Sequence, residues 1–196
     1  MIPPCRAHSG CYEADVHALP DYIELGVYED ELVLVNRKFG FRQTFPAEWT
    51  FTRVYPSKHG DGFAIEPGRD NEDWNGFVFN MRSPWEAGRQ PLIDFTCYPC
   101  PALSVEQTVA KLRKRMVEAG FTEINCGLGP QVDGVDSVEF CGTLGRRVVR
   151  IVEMFADEHR YAFQHSGIES LAPTALQFRG VLAEFHRSEP LGGLPT

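Results

Sequence analysis

An α+β domain is predicted, because strand-like runs outnumber helical ones and the helical patterns stand apart from each other instead of alternating with the strands. Eight or nine short apolar runs bounded by Gly, Pro, Asn and Asp read as strands. Two main helices carry the remaining periodicity, one mid-chain and one near the end. At 196 residues the chain fits one domain, large enough to bury about 70% of the surface its unfolded form exposes.

Residues 1–28 show no sustained period and are expected to form an N-terminal extension, with a single domain over 29–187 and a flexible tail over 188–196. Within the extension, Cys5, His8, Cys11 and His17 resemble a zinc-ligand set. Their spacing fits no finger pattern and no helix or turn orients them, so no metal is assigned. Strands follow at 32–35, 39–45 and 49–54, with residues 36–40 as a turn between the first two. Phe39, Phe41, Thr44 and Phe45 do not alternate cleanly, which predicts a bend or bulge before Pro46. Residues 60–62 and 69–73 are loops, and the carboxylates of the second lack the glycine and distal glutamate of a calcium loop.

Phe77, Phe79 and Met81 share one side of the next strand, and residues 83–88 turn the chain back. The stretch 91–128 is the best specified, as strand, helix and strand. Ser104 and Gln107 form a capping box, Val105, Val109, Leu112 and Met116 line one helix face, and Gly120 is the stop. Lys111, Arg113, Lys114 and Arg115 are the hydrophilic complement. Further strands come at 135–140, 147–155 and 160–165, the last two joined as a hairpin through Asp157, Glu158 and His159. Ser170 and Pro173 open the final helix, whose apolar face is Ala175, Phe178, Val181, Leu182 and Phe185. Gly180 inside it predicts close packing against backbone.

The run 147–155 has Val149, Ile151 and Phe155 on one side and Val148, Val152 and Met154 on the other, so both faces of its sheet need cover. Two helices on one face leave the opposite face to the N-terminal segment, a second copy or an apolar client. Phe77, Phe79, Met81, Val149 and Ile151 are therefore the candidate binding residues, with a client protein or apolar helix as partner and a homodimer as a further arrangement.

A net charge of −8 and a pI near 5.2 disfavour nucleic acid as a partner, since phosphate neutralisation needs a basic surface. No apolar run approaches the ~18 residues of a membrane span, and the opening residues carry no export pattern. A cytoplasmic location is expected, with the six cysteines as thiols. Phosphate loops, nucleophile elbows and His-Glu-x-x-His pairs do not occur, and neither a catalytic residue nor a cofactor is assigned. The sharpest chemical motif is Cys97-Tyr-Pro-Cys100, because a Cys-x-x-Cys pair between strand and helix is where a redox dithiol sits. The helix cap at Ser104 lies beyond it, away from the position that lowers a thiol pKa, so a thiol–disulfide oxidoreductase stands as the alternative function. Asp157, Glu158 and His159 read as a turn, and His165 as a satisfied histidine at a sheet edge.

The order of elements from about Phe39 to Phe185 resembles the Mog1/PsbP/DcrB-like superfamily. Phe41-Arg-Gln-Thr-Phe-Pro-Ala-Glu-Trp49 is similar to that family's opening of a strand followed by Pro-x-x-Trp. The capped helix closing in Ala119-Gly-Phe121, then Val132-Asp-Gly-Val-Asp136, the long strand pair and the last helix complete the likeness. The resemblance implies an α/β/α sandwich with a mostly antiparallel sheet and a non-catalytic role in binding other proteins. PsbP-like and DcrB-like members normally carry targeting signals. Cytosolic members include the Mog1 Ran-binding factors and the effector-associated chaperones of type VI secretion, which shield apolar helices of a toxin, typically as dimers. A chaperone or adaptor of that last kind is the expected function.

Overall fold

The computed structural model describes residues 21–55, 77–82, 92–168 and 172–188. Within them the chain runs β1 (Ile23–Tyr28), β2 (Glu31–Asn36), β3 (Phe41–Pro46), β4 (Thr50–Tyr55), β5 (Phe77–Arg82), β6 (Leu92–Pro99) and α1 (Val105–Glu118). It continues through β7 (Thr122–Leu128), β8 (Ser137–Leu144), β9 (Arg147–Ala156), β10 (His159–Ile168), α2 (Ala172–Ala183) and β11 (Phe185–Arg187). A seven-stranded sheet has the order β4-β5-β6-β10-β9-β8-β7, and a four-stranded sheet the order β1-β2-β3-β11. All these pairings are antiparallel, as expected for an α+β fold.

Side-chain alternation divides the interior in two. Phe79, Phe95, Phe163 and Val152 form one row across β5, β6, β10 and β9. That row packs against Phe41, Phe45 and Phe185 of the smaller sheet and Phe178, Val181 and Leu182 of α2. The Phe95 ring centroid lies 4.6 Å from that of Phe79, 4.7 Å from Phe163 and 5.0 Å from Phe41. On the other face, Val138, Phe140, Val149 and Ile151 meet Leu112 and Met116 of α1. Each large side chain so buried contributes about 1.5–3 kcal/mol before conformational entropy is charged.

The two helices thus lie on opposite faces of the larger sheet, as the α/β/α sandwich implied by the resemblance requires, whereas the count of apolar strand positions put both on one face. α1 matches its expectation. The Ser104 hydroxyl accepts from the Gln107 N–H at 3.2 Å, the Gln107 side chain accepts from the Ser104 N–H at 3.0 Å, and Gly120 ends the helix at φ 84°. Asp157 and Glu158, at φ 52° and 59°, form the two-residue turn whose twist suits the β9–β10 hairpin.

Four local expectations need correction. Residues 23–28 belong to the domain, because β1 pairs with β2 along its whole length. Phe185 is a strand residue, paired with Gln43 of β3, although it reaches the same core that a helical position would. The β2–β3 register is regular up to Pro46, and irregular pairing occurs instead between Phe51 and Arg53 and between Thr122 and Asn125. In β3 the core face keeps its alternation through Phe41, Gln43 and Phe45, with Gln43 a polar core residue whose Nε2 donates to Val181 O at 2.8 Å, while on the other face Arg42 and Pro46 are exposed and Thr44 is buried. Gly180 is exposed and a side chain there would meet nothing within 4 Å, so close packing does not account for it.

Candidate functional site

Four of the five candidate binding residues lie inside the chain's own cores. Phe79 and Met81 are buried beneath the smaller sheet and α2, and Val149 and Ile151 beneath α1. The expected uncovered apolar face is accordingly absent among the described residues. A second sheet, whose strands β1 and β11 carried no sequence signal, supplies the roof. The Phe77 side chain lies outside the described residues, as do Cys5, His8, Cys11 and His17 and the loops 60–62 and 69–73.

The chemical candidates are also accounted for structurally. Cys97 points into the larger core, where burial pushes its thiol well above the ordinary value and Arg160 offsets only part of the rise. Cys100 is half-buried, its N–H donates to Glu158 O at 2.8 Å, and the cap at Ser104 keeps both sulfurs off the helix N-terminus. Both cysteines are free thiols. His165 is not at an edge. It sits on β10 in the middle of the sheet, 5% exposed, against the Phe178 ring of α2, and its Nε2 has no hydrogen-bond partner. Among the described residues no group of three or more His, Cys, Asp or Glu could hold a metal, and no helix is long and apolar enough to cross a membrane.

One buried charge network ties α1 down. Glu153 on β9 accepts from Arg115 of α1 at 2.6 Å and from Arg160 Nε at 3.1 Å, with a second bond to the Arg160 guanidinium. Burial raises the Glu153 carboxyl pKa, but Arg160 and then Arg115 outweigh it and hold the group below the usual glutamate value.

Among the described residues the sheets end at β1, β11, β4 and β7, and the last of these edges lies beside exposed apolar side chains. β7 is the terminal strand of the larger sheet and pairs with β8 on one side only. Gly129 N–H donates to Ser137 O at 2.8 Å, which sets the phase of the ladder. Bonded pairs alternate along an antiparallel ladder, so Gly127 and Asn125 turn their backbone groups to β8, while Cys126 and Leu128 turn theirs outward. Cys126 and Leu128 stand opposite Phe140 and Val138, which places their side chains on the α1 face of the sheet.

α1 overhangs this edge. Cys126 Sγ lies 3.8 Å from the Val109 carbonyl oxygen, and Arg113 is near enough to draw down a Cys126 pKa that burial raises more strongly. Val109, Arg113 and Val117, four residues apart, share that flank of the helix. Val117 is 59% and Leu128 70% exposed, the two most exposed large apolar side chains among the described residues. Arg113, Lys111 and Lys114 are exposed around them. The start of β7 is closed off by its irregular pairing, by Glu123 at φ 52° and by the Thr143 hydroxyl donating to Glu123 at 2.8 Å. The usable edge is therefore 125–128. Alternation of Ile124, Cys126 and Leu128 was readable from the sequence, but which strand ends a sheet depends on pairings made far along the chain.

No protein-family model matches the chain, and no curated protein matches it significantly. Among solved structures it is similar to the solution structure of cyanobacterial PsbP (CyanoP) from Synechocystis sp. PCC 6803, with a TM-score of 0.54 and 18% identity over 83% of this chain and 95% of that chain. At that identity the likeness is one of fold, and the chain has a PsbP-like α+β fold with a mostly antiparallel sheet between its two helices.

Proposed function

We propose that this chain is a non-catalytic protein-binding module, an adaptor or chaperone whose partner adds an extended segment to the β7 edge. The observation that carries this reading is the outward pair of backbone positions at Cys126 and Leu128, flanked by exposed Leu128 and Val117. Strand addition draws affinity from main-chain hydrogen bonds and specificity from alternate side chains, and a free, uncharged edge segment is what proteins ordinarily cover or charge. In this reading the chain works in the cytoplasm, where its cysteines stay thiols.

The narrower reading, a type VI effector chaperone holding apolar helices against its sheet, loses its first reason, because Phe79, Met81, Val149 and Ile151 are covered by the chain itself. Its remaining support is the family resemblance. The thiol oxidoreductase reading gains no favourable observation either, since exchange needs an accessible thiolate and Cys97 is buried with its pKa raised.

The test places a photo-reactive residue at Val117 in the full chain and illuminates it in the source cell. A discrete protein adduct that disappears in a Leu128→Pro background, which removes one outward N–H without touching the β8 ladder, supports the proposal. An adduct that survives Leu128→Pro contradicts it.

A further inference from the structure

The chemistry of the incoming segment can be read from the α1 flank, an inference that rests on the β7 reading. Four residues of helix advance about 6 Å, and two residues of strand advance about 6.6–6.8 Å. α1 leads straight into β7 through residues 119–121, so Val109 stands over Cys126, Arg113 lies one step nearer the start of the strand, and Val117 lies beside the closed start itself. A strand laid along the open part of β7 therefore sends alternate side chains up beside Val109 and Arg113. We propose that the partner segment has the pattern apolar-x-acidic, its apolar residue against Val109 and its carboxylate on Arg113.

The charge on this flank selects an acidic residue. Arg113 is exposed and has no ion pair among the described residues, whereas Lys114 already pairs with Glu118 at 3.9 Å. An all-apolar segment would cover the guanidinium and leave it without a counter-charge, which costs more than an apolar contact returns. A planar guanidinium takes a carboxylate through two parallel hydrogen bonds, so the acidic position is selective as well as attractive.

A second copy of this chain is a poor occupant. Its own edge would offer Ile124, Cys126 and Leu128, none of which carries a carboxylate. Antiparallel edge-to-edge pairing about a two-fold axis normal to the sheet also sets two α1 flanks side by side, arginine against arginine, and like charges in contact suppress association.

The experiment uses the full chain and a labelled peptide carrying Leu-Thr-Asp-Thr-Leu, read by fluorescence anisotropy, beside the same peptide with Lys for Asp. The Asp peptide is expected to bind about tenfold more tightly than the Lys peptide, and Arg113→Glu is expected to reverse that order. Equal affinity for the two peptides, no reversal in Arg113→Glu, or no binding of either overturns the acidic pattern. A dimer in sedimentation that Leu128→Pro abolishes overturns it in favour of a second copy. If the Val117 adduct is lost in Leu128→Pro while the peptides fail to discriminate, the binding edge stands and only the pattern falls. If the adduct survives that substitution, the edge itself is excluded.

Discussion

His165 shows how far a single side chain can be judged before its neighbours are known. Its place among strand residues suggested a satisfied histidine at a sheet edge, yet β10 lies between β6 and β9 and α2 closes over the ring. Burial, and secondarily the charge of Arg150, lower its pKa to about 4. The folded value lies below the unfolded one, so the unfolded chain binds the extra proton first. Stability is then full above about pH 6.5 and falls as the pH drops toward 4, by about 3 kcal/mol from this one group. Urea unfolding at neutral and acid pH should show a shallower pH dependence in His165→Leu than in the parent chain. Gly180 is the second instructive residue. Helical sequence gives no means of telling a glycine required by contact from one that is merely tolerated, and this one faces open space. Gly180→Ala should therefore stabilise the chain by about 1 kcal/mol in denaturant unfolding, where a packing role would have made it destabilising.

Among the elements, those specified by local chemistry were legible and those specified by distant pairing were not. α1 carries its own start and stop, and its capping box formed as read. Ser104→Ala should cost about 1 kcal/mol in the same assay. The seat of α1 was not legible, because it depends on Arg115 meeting a carboxylate that lies 38 positions later on β9. Removing that carboxylate with Glu153→Ala takes the shared counter-charge from two buried or half-buried guanidinium groups, and a loss of about 3–5 kcal/mol is expected. β11 had no chance of recognition as a three-residue strand. It is pinned by Arg187, whose N–H and Nε donate to Asp133 at 3.0 and 3.1 Å and whose NH1 donates to Asp157 at 2.8 Å. β1 escaped notice because half its residues are exposed and no apolar period runs through it.

Across the fold, counting apolar strand residues was sound, but assigning them to a single sheet was not. Both faces of β9 are indeed apolar, and the chain covers them with α1 on one side and with a second sheet plus α2 on the other. What remained open was a row of backbone groups, which no count of apolar side chains can reveal. Stability and binding should separate accordingly. Phe95→Ala, in contact with the rings of Phe41, Phe79, Phe163 and Phe185, should cost about 3–5 kcal/mol, whereas Leu128→Lys at the exposed edge should change stability by less than about 0.5 kcal/mol while weakening partner capture. The most direct measurement is amide hydrogen exchange of the full chain, alone and bound to the protein that a probe at Val117 captures. Slowed exchange concentrated at Cys126 and Leu128 is expected; unchanged exchange there, with protection appearing at another part of the surface, would contradict β7 as the binding edge.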